Sequence, residues 1–381
     1  MAANRLFKAR GRRARAGGAL QRKTTARVPW GATLTATLIM CAAAWLLARQ
    51  IAPAPRGELR AIPLPCSSDQ RIEPLGDGAL FSDGAQLHAL DGRGRQIWQH
   101  PAGTGSGFRA SEGGVCVWLD RKLTLLSGET GATLYTGSTK DPILSSKLGT
   151  MYAAVQTGSP HDGELYVIKR DGGEVERIEL RNQTLIDYGF FADGTLLWTL
   201  SLDTEGTVPK SAITTRLPGR SLTGTVEQTR EVVYKAFFLA NDLIAVGDAY
   251  LRAYNYQGRE LREGTLVYGW HLMGEEVSGG VATLAFAPTS QSGANAPIRD
   301  VRILQGNLDR TVRMPFPCFA VTVRGGTVYG FNREYAIARA PSDDRARVYA
   351  LPIRADRLIG MTANGSAILA SGGDVYLVPA G

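Results

Sequence analysis

The chain has 381 residues, 44% of them hydrophobic, and 45 glycines, a folded composition rich in turns rather than a disordered one. Its formal charge of +8 suggests a nucleic-acid partner only if the positive residues lie on a folded face. They do not. Nine basic residues precede Trp30 (Arg5, Lys8, Arg10, Arg12, Arg13, Arg15, Arg22, Lys23 and Arg27), and taking these nine from +8 leaves −1 for everything after them. No nucleic-acid contact is expected from the near-neutral remainder.

Residues 1–29 read as a basic cytoplasmic tail. Trp30 to Ala48 is an uncharged run of 19 residues, WGATLTATLIMCAAAWLLA, and predicts a transmembrane helix over 30–48. At a rise of about 1.5 Å per residue it spans roughly 28 Å, close to the hydrocarbon thickness of a bilayer. Leu34, Leu38, Ile39, Leu46 and Leu47 supply its lipid-facing bulk, and Trp30 and Trp45 suit the two interfaces. Arg10, Arg12, Arg13, Arg15, Arg22, Lys23 and Arg27 sit on the leading side, so the positive-inside rule places the N-terminus in the cytoplasm. The remainder is then outside, in a single-pass protein of the cytoplasmic membrane. The rival is a cleaved signal peptide. Its one small-x-small site, Ala52-Pro53-Ala54, is followed by Pro55, a poor residue after a cut.

Residues 49–66 carry Pro53, Pro55, Pro63 and Pro65 and read as a stiff stalk with a closing strand. From residue 67 to 381 one pattern recurs: short apolar strands separated by Gly, Asp and Asn turns. Gln86–Trp98 (QLHALDGRGRQIW), Lys122–Tyr135, Glu164–Ile178 and Tyr250–Leu261 each read as a hairpin around a glycine turn. Each follows a shorter strand, such as Gly78–Phe81 or Gly114–Trp118. A unit of about 35–50 residues is the period of four-stranded propeller blades. Blades are predicted to start near Arg71, Phe108, Ile143, Leu185, Tyr234, Tyr268, Phe319 and Leu358. The last has three clear strands, and Glu58–Ile62 is expected to close it beside Asp374–Val378. The fold class is therefore all-β, an eight-bladed propeller, with seven blades as the alternative count. A β-solenoid needs a stricter period, and two sandwiches need a linker that the sequence lacks.

The text LHALDGRGRQIW resembles the quinoprotein-type propeller repeat, also seen as WD-repeat-like: strand, Asp, Gly turn, Trp-ending strand. Leu75–Gly78, Asp83–Asp91, Leu185–Phe191, Leu196–Pro209 and Val267–Met273 resemble a membrane-anchored propeller family of unknown function from Gram-positive bacteria. That resemblance covers Pro63–Gly381 and implies the fold and the anchor, but no activity.

Catalytic motifs with a mechanism (GxSxG, HExxH, P-loop, EF-hand) do not occur. Gly103–Gly107 is glycine-rich but precedes no helix, so it reads as a turn. His88, His100, His161 and His271 share no ligand spacing, and no metal is expected. Asp83, Asp91, Asp187, Asp193 and Asp203 read as turn residues. Trp98, Trp118, Trp198 and Trp270 read as packing between blades; the sharper alternative is an aromatic ring at the propeller mouth that stacks a sugar or peptide. Cys41 falls in the anchor, so Cys66, Cys116 and Cys318 allow at most one disulfide, and whether Cys66 pairs with Cys318 stays open. No two cysteines are adjacent, which argues against the quinone cofactor of quinoprotein dehydrogenases, and no other cofactor is expected. The sequence thus predicts a non-enzymatic binding or scaffold module at the cell envelope. Membrane lipids and an envelope protein or polymer are its expected partners. The alternative is an extracytoplasmic polysaccharide hydrolase or lyase with two carboxylates converging in the central channel; a sensor is disfavoured by the short tail.

Overall fold

The computed structural model describes residues 40–41, 55–292 and 296–379. The chain divides into two units, Met1–Ala52 and Pro53–Gly381. Of the first, only Met40 and Cys41 are described, both helical. The anchor residues Trp30, Leu34, Leu38, Ile39, Trp45, Leu46 and Leu47 therefore lie outside the described residues, as do the basic residues of the tail. Among the described residues no helix is long and apolar enough to cross a membrane.

The second unit is an eight-bladed β-propeller, built from eight four-stranded antiparallel sheets. The alternative count of seven is overturned. The first strands of the blades are Ile72–Leu75, Gly107–Ser111, Ile143–Leu148, Gln183–Phe191, Val233–Phe238, Trp270–Ser278, Ala320–Arg324 and Arg357–Met361. They line the axis: first strands of neighbouring blades touch, and that of the eighth packs back on that of the first. Ser221–Gln228 is the outer strand of blade four and Ile298–Gln305 the third strand of blade six.

Period-two alternation is what lets a blade join both neighbours. In Gly78–Ser82, Ala79 and Phe81 pack toward blade eight, while Leu80 between them packs toward blade two. The same division repeats around the ring, so the described apolar residues form eight clusters, one at each blade interface. Such a ring has no common core; each interface is stabilised by its nearest neighbours.

Closure differs from the expectation in register. The strand that completes blade eight is Ile62–Ser67, pairing Ile62 with Leu377 and Leu64 with Val375. Glu58 instead bridges Ala350 in parallel on the outer strand of blade seven, where Arg56 N–H donates to Val348 O and Leu59 N–H to Ala350 O. Pro63 and Pro65 thus belong to a strand, not to a stalk. An outermost strand tolerates proline because one row of its backbone groups has no ladder partner.

The thiols of Cys66, Cys116 and Cys318 are unpaired. Burial pushes Cys66 up to about 11 and both Cys116 and Cys318 up to about 12. The thiolate is the reactive form. In a Cys41→Ser background, a maleimide reagent at pH 7.5 should leave these three unlabelled in the native state and label all three in 6 M guanidinium. Labelling of Cys116 in the native state would contradict the fold.

Candidate functional site

The first strands bring charged residues from distant parts of the sequence to one axial level. Lys147 of blade three lies 2.5 Å from Asp187 of blade four. Lys235 of blade five lies 3.9 Å from Asp187 and 3.1 Å from Glu275 of blade six. Charges alternate across four blades, Lys–Asp–Lys–Glu, so each inter-blade step is attractive. Glu276 continues the series to Arg324 of blade seven at 3.5 Å and accepts from Gly326 N–H at 2.8 Å. On the other side, Arg71 pairs with Glu73 at 2.8 Å and donates to Phe108 O, while Glu73 accepts from Ala110 N–H at 2.7 Å. Tyr188 and Ser145 share a hydrogen bond of 2.8 Å between blades three and four.

Burial pulls the Lys147 ammonium down, while Asp187 opposes that shift. Asp187→Asn therefore leaves a half-buried lysine without its counter-ion. We expect a loss of about 1–3 kcal/mol, below the full cost of breaking a buried pair because both partners are about a quarter exposed. Urea unfolding measures it; an unchanged midpoint would show the ladder to be energetically idle.

Asp187 was expected in a turn and lies in a strand instead. The other aspartates do what turn chemistry predicts. Asp83 accepts from Ala85 and Gln86 N–H, and Asp91 from Arg93 and Arg95 N–H. Asp203 accepts from Glu205 N–H, and Asp193 has a left-handed φ of 54°. The glycine-rich stretch turns through Gly103 and Gly105, both with positive φ, and Gly107 opens the first strand of blade two.

The first strands also carry a repeated irregularity that the sequence reading missed. In blades three, four, five, six and eight the pairing between first and second strand skips one residue. The skipped residues are Leu144, Ile186, Tyr234, Met273 and Ile359, all large, of which Tyr234, Met273 and Ile359 pack against the clusters at the blade interfaces. A bulge re-aims the side chain that it carries. Leu144 and Ile186 are 38% and 40% exposed, whereas the residues before them, Ile143 and Leu185, are buried. Two consecutive apolar or aromatic residues near the start of each of these strands, the second of them skipped, are the signal that could have found them.

The aromatic-mouth alternative does not hold. Trp98 is buried between blades one and two and donates to Gly128 O at 2.9 Å; Trp198 is buried between blades four and five, 5.1 Å from Phe238. Trp118 packs between blades two and three and Trp270 between five and six. The histidines stay apart: His88 contacts Asp83 and Gln96, and His161 contacts Thr184. Among the described residues no three His, Cys, Asp or Glu side chains form a metal-holding group.

At the opposite end of the first strands lies a depression of about 940 Å³. It is walled by turns of blades one, two and eight with Arg170 and Arg324, and Asp77, Glu112 and Glu129 border it. Neither Asp187 nor Glu275 belongs to it. Both are held by lysines, an arrangement that makes them ion-pair partners rather than a free acid and base.

No protein-family model matches the chain, and no curated protein matches it in sequence. Solved structures do match. The C-terminal WD40 domain of Sif2 is 14% identical with a TM-score of 0.59, over 85% of this chain and 98% of that one. The WD40 domain of SCAP from fission yeast is 12% identical with a TM-score of 0.56, over 85% and 98%. BamB from Moraxella catarrhalis is 13% identical with a TM-score of 0.53, over 84% and 99%. At these identities the likeness shows the fold alone: residues 62–379 form a β-propeller similar to WD40 domains and to BamB.

Proposed function

We propose that this protein is a non-enzymatic binding module, a propeller held by an N-terminal membrane helix on the outer side of the cytoplasmic membrane. The uncharged run at 30–48 and the nine arginines and lysines before it support the anchor and its direction. The observation that carries the binding role is the pair of bulges in adjacent blades three and four, which leaves the large apolar side chains of Leu144 and Ile186 exposed on a rigid ring. A ring stabilised at every blade interface keeps such a surface in place without a partner, which suits recognition. Its occupant is a protein or polymer of the cell envelope.

A photo-crosslinking residue at Ile186 should give a discrete adduct in intact cells, and the same residue at Gln99 on an outer strand should not. Equal adducts at both positions, or none at either, would contradict the binding role.

A further inference from the structure

The outermost strand of blade seven, Arg347–Ala350, does not end its sheet in the open. Residues 56–59 lie along it. Arg56 N–H donates to Val348 O at 2.8 Å, Ala350 N–H to Gly57 O at 2.9 Å and Leu59 N–H to Ala350 O at 2.9 Å. Glu58 bridges Ala350 in parallel, the less stable of the two pairings. Leu59 and Ala61 pack against the apolar cluster between blades seven and eight, which includes Leu351 and Ala355. Arg56, Gly57, Glu58 and Arg60 are exposed, and among the described residues the three charged ones make no ion pair. A few exposed backbone hydrogen bonds and one half-buried leucine must offset the ordering of six residues, so this segment opens more readily than the ring. The closing strand begins only at Ile62 and has its own ladder to Asp374–Pro379. Residues 56–61 can therefore leave while the ring stays shut. Their departure bares Val348 O and both backbone groups of Ala350, beside the apolar seat of Leu59.

We propose that residues 56–61 are a detachable strap over a strand-docking edge, and that an extended segment of a partner protein takes this edge when the strap leaves. The present occupant shows what the edge accepts: an extended chain running parallel to Arg347–Ala350, with a large aliphatic side chain in the place of Leu59. Backbone groups supply most of the contact, so the partner's other side chains are free to vary. The strap also keeps the edge from pairing at random, as an unpaired strand would. This edge is on a different blade from Leu144 and Ile186, and its occupancy goes beyond the binding role proposed above.

The test uses the full chain in lipid nanodiscs. Arg56→Pro with Leu59→Pro removes two of the three hydrogen-bond donations and leaves the edge itself untouched. The probe is a fluorescein-labelled peptide of the strap sequence, Pro-Arg-Gly-Glu-Leu-Arg-Ala with a C-terminal amide, followed by anisotropy. The double variant should bind it at least tenfold more tightly than the wild type, whose own strap competes. A probe with Asp in place of Leu should bind tenfold or more weakly. Hydrogen exchange at Ala350 N–H should be slow in the wild type, at least tenfold faster in the variant, and slow again once the probe is bound. The urea midpoint of the variant should stay that of the wild type. Equal binding by both chains, equal binding of the Asp probe, or Ala350 exchange that the variant does not change would each overturn the proposal. A variant without a cooperative transition would overturn it too, by showing the strap to be part of the ring. A wild-type dimer that the variant fails to form would give the edge to the strap of a second copy instead of a partner. Should the edge fail while the Ile186 adduct persists, the binding role stands without it.

Discussion

A chain beginning at residue 69 should show no cooperative unfolding transition, whereas one beginning at residue 62 should keep it. The difference is the strand Ile62–Ser67, the fourth strand of blade eight. Without it the edge of Asp374–Pro379 is unpaired, and Val375 and Leu377, 0% and 1% exposed in the closed ring, lose the cover of Leu64. An open sheet edge with apolar neighbours is also a template for aggregation. Within the intact chain, Leu64→Ala should cost about 2–4 kcal/mol, the usual range for a buried leucine whose site collapses only in part. Leu64→Asp should cost more, because a carboxylate at a buried position has no partner there. Circular dichroism against temperature or urea reads all of these. A cooperative transition in the chain beginning at 69 would show that the ring does not depend on this closure.

Gly274→Ala is the second large effect. Gly274 follows the bulge in the first strand of blade six, and its neighbour is the first strand of blade seven. A Cβ added there would lie 2.5 Å from Thr322 Cα and 2.8 Å from both Thr322 C and Val323 N. Those are backbone atoms, so no side-chain rotation relieves the clash; the two blades must separate. The interface they share includes Ala285, Val301, Val321 and Val323. Overpacking against backbone in a close-packed interface should cost about 3 kcal/mol or more. Gly373→Ala is the control: nothing lies within 4 Å of the added carbon and no left-handed φ is involved. If both variants unfold at the same urea concentration, blades six and seven are not packed as described.

Much of this architecture was legible because glycine turns and period-two strands leave a plain trace. The starts predicted at Ile143 and Phe108 fall on the first strands Ile143–Leu148 and Gly107–Ser111, and the remaining six lie within two residues of theirs. What stayed hidden had a physical cause in each case. Pro63 and Pro65 look like stalk because proline breaks ladders, yet an outermost strand has one row of donors without a partner. The bulges interrupt the very alternation used to recognise strands, so alternation alone does not set Leu144 and Ile186 apart from the buried residues before them. The ion-pair ladder joins Lys147 to Asp187 across 40 residues, about one blade repeat, and only the ring makes them neighbours. Asp187 read as a turn residue since a glycine, Gly189, is close by; strand pairing decides otherwise.

We propose that one uncut helix holds this ring outside the membrane with the tail inside. A membrane-impermeant amine-reactive biotin reagent applied to intact cells tests it directly, with mass spectrometry of each lysine. Lys122, Lys140 and Lys169 are exposed on the ring and should be labelled, while Lys8 and Lys23 should be labelled only after the cells are opened. Labelling of Lys8 and Lys23 in intact cells, or none on the ring until lysis, would contradict the account.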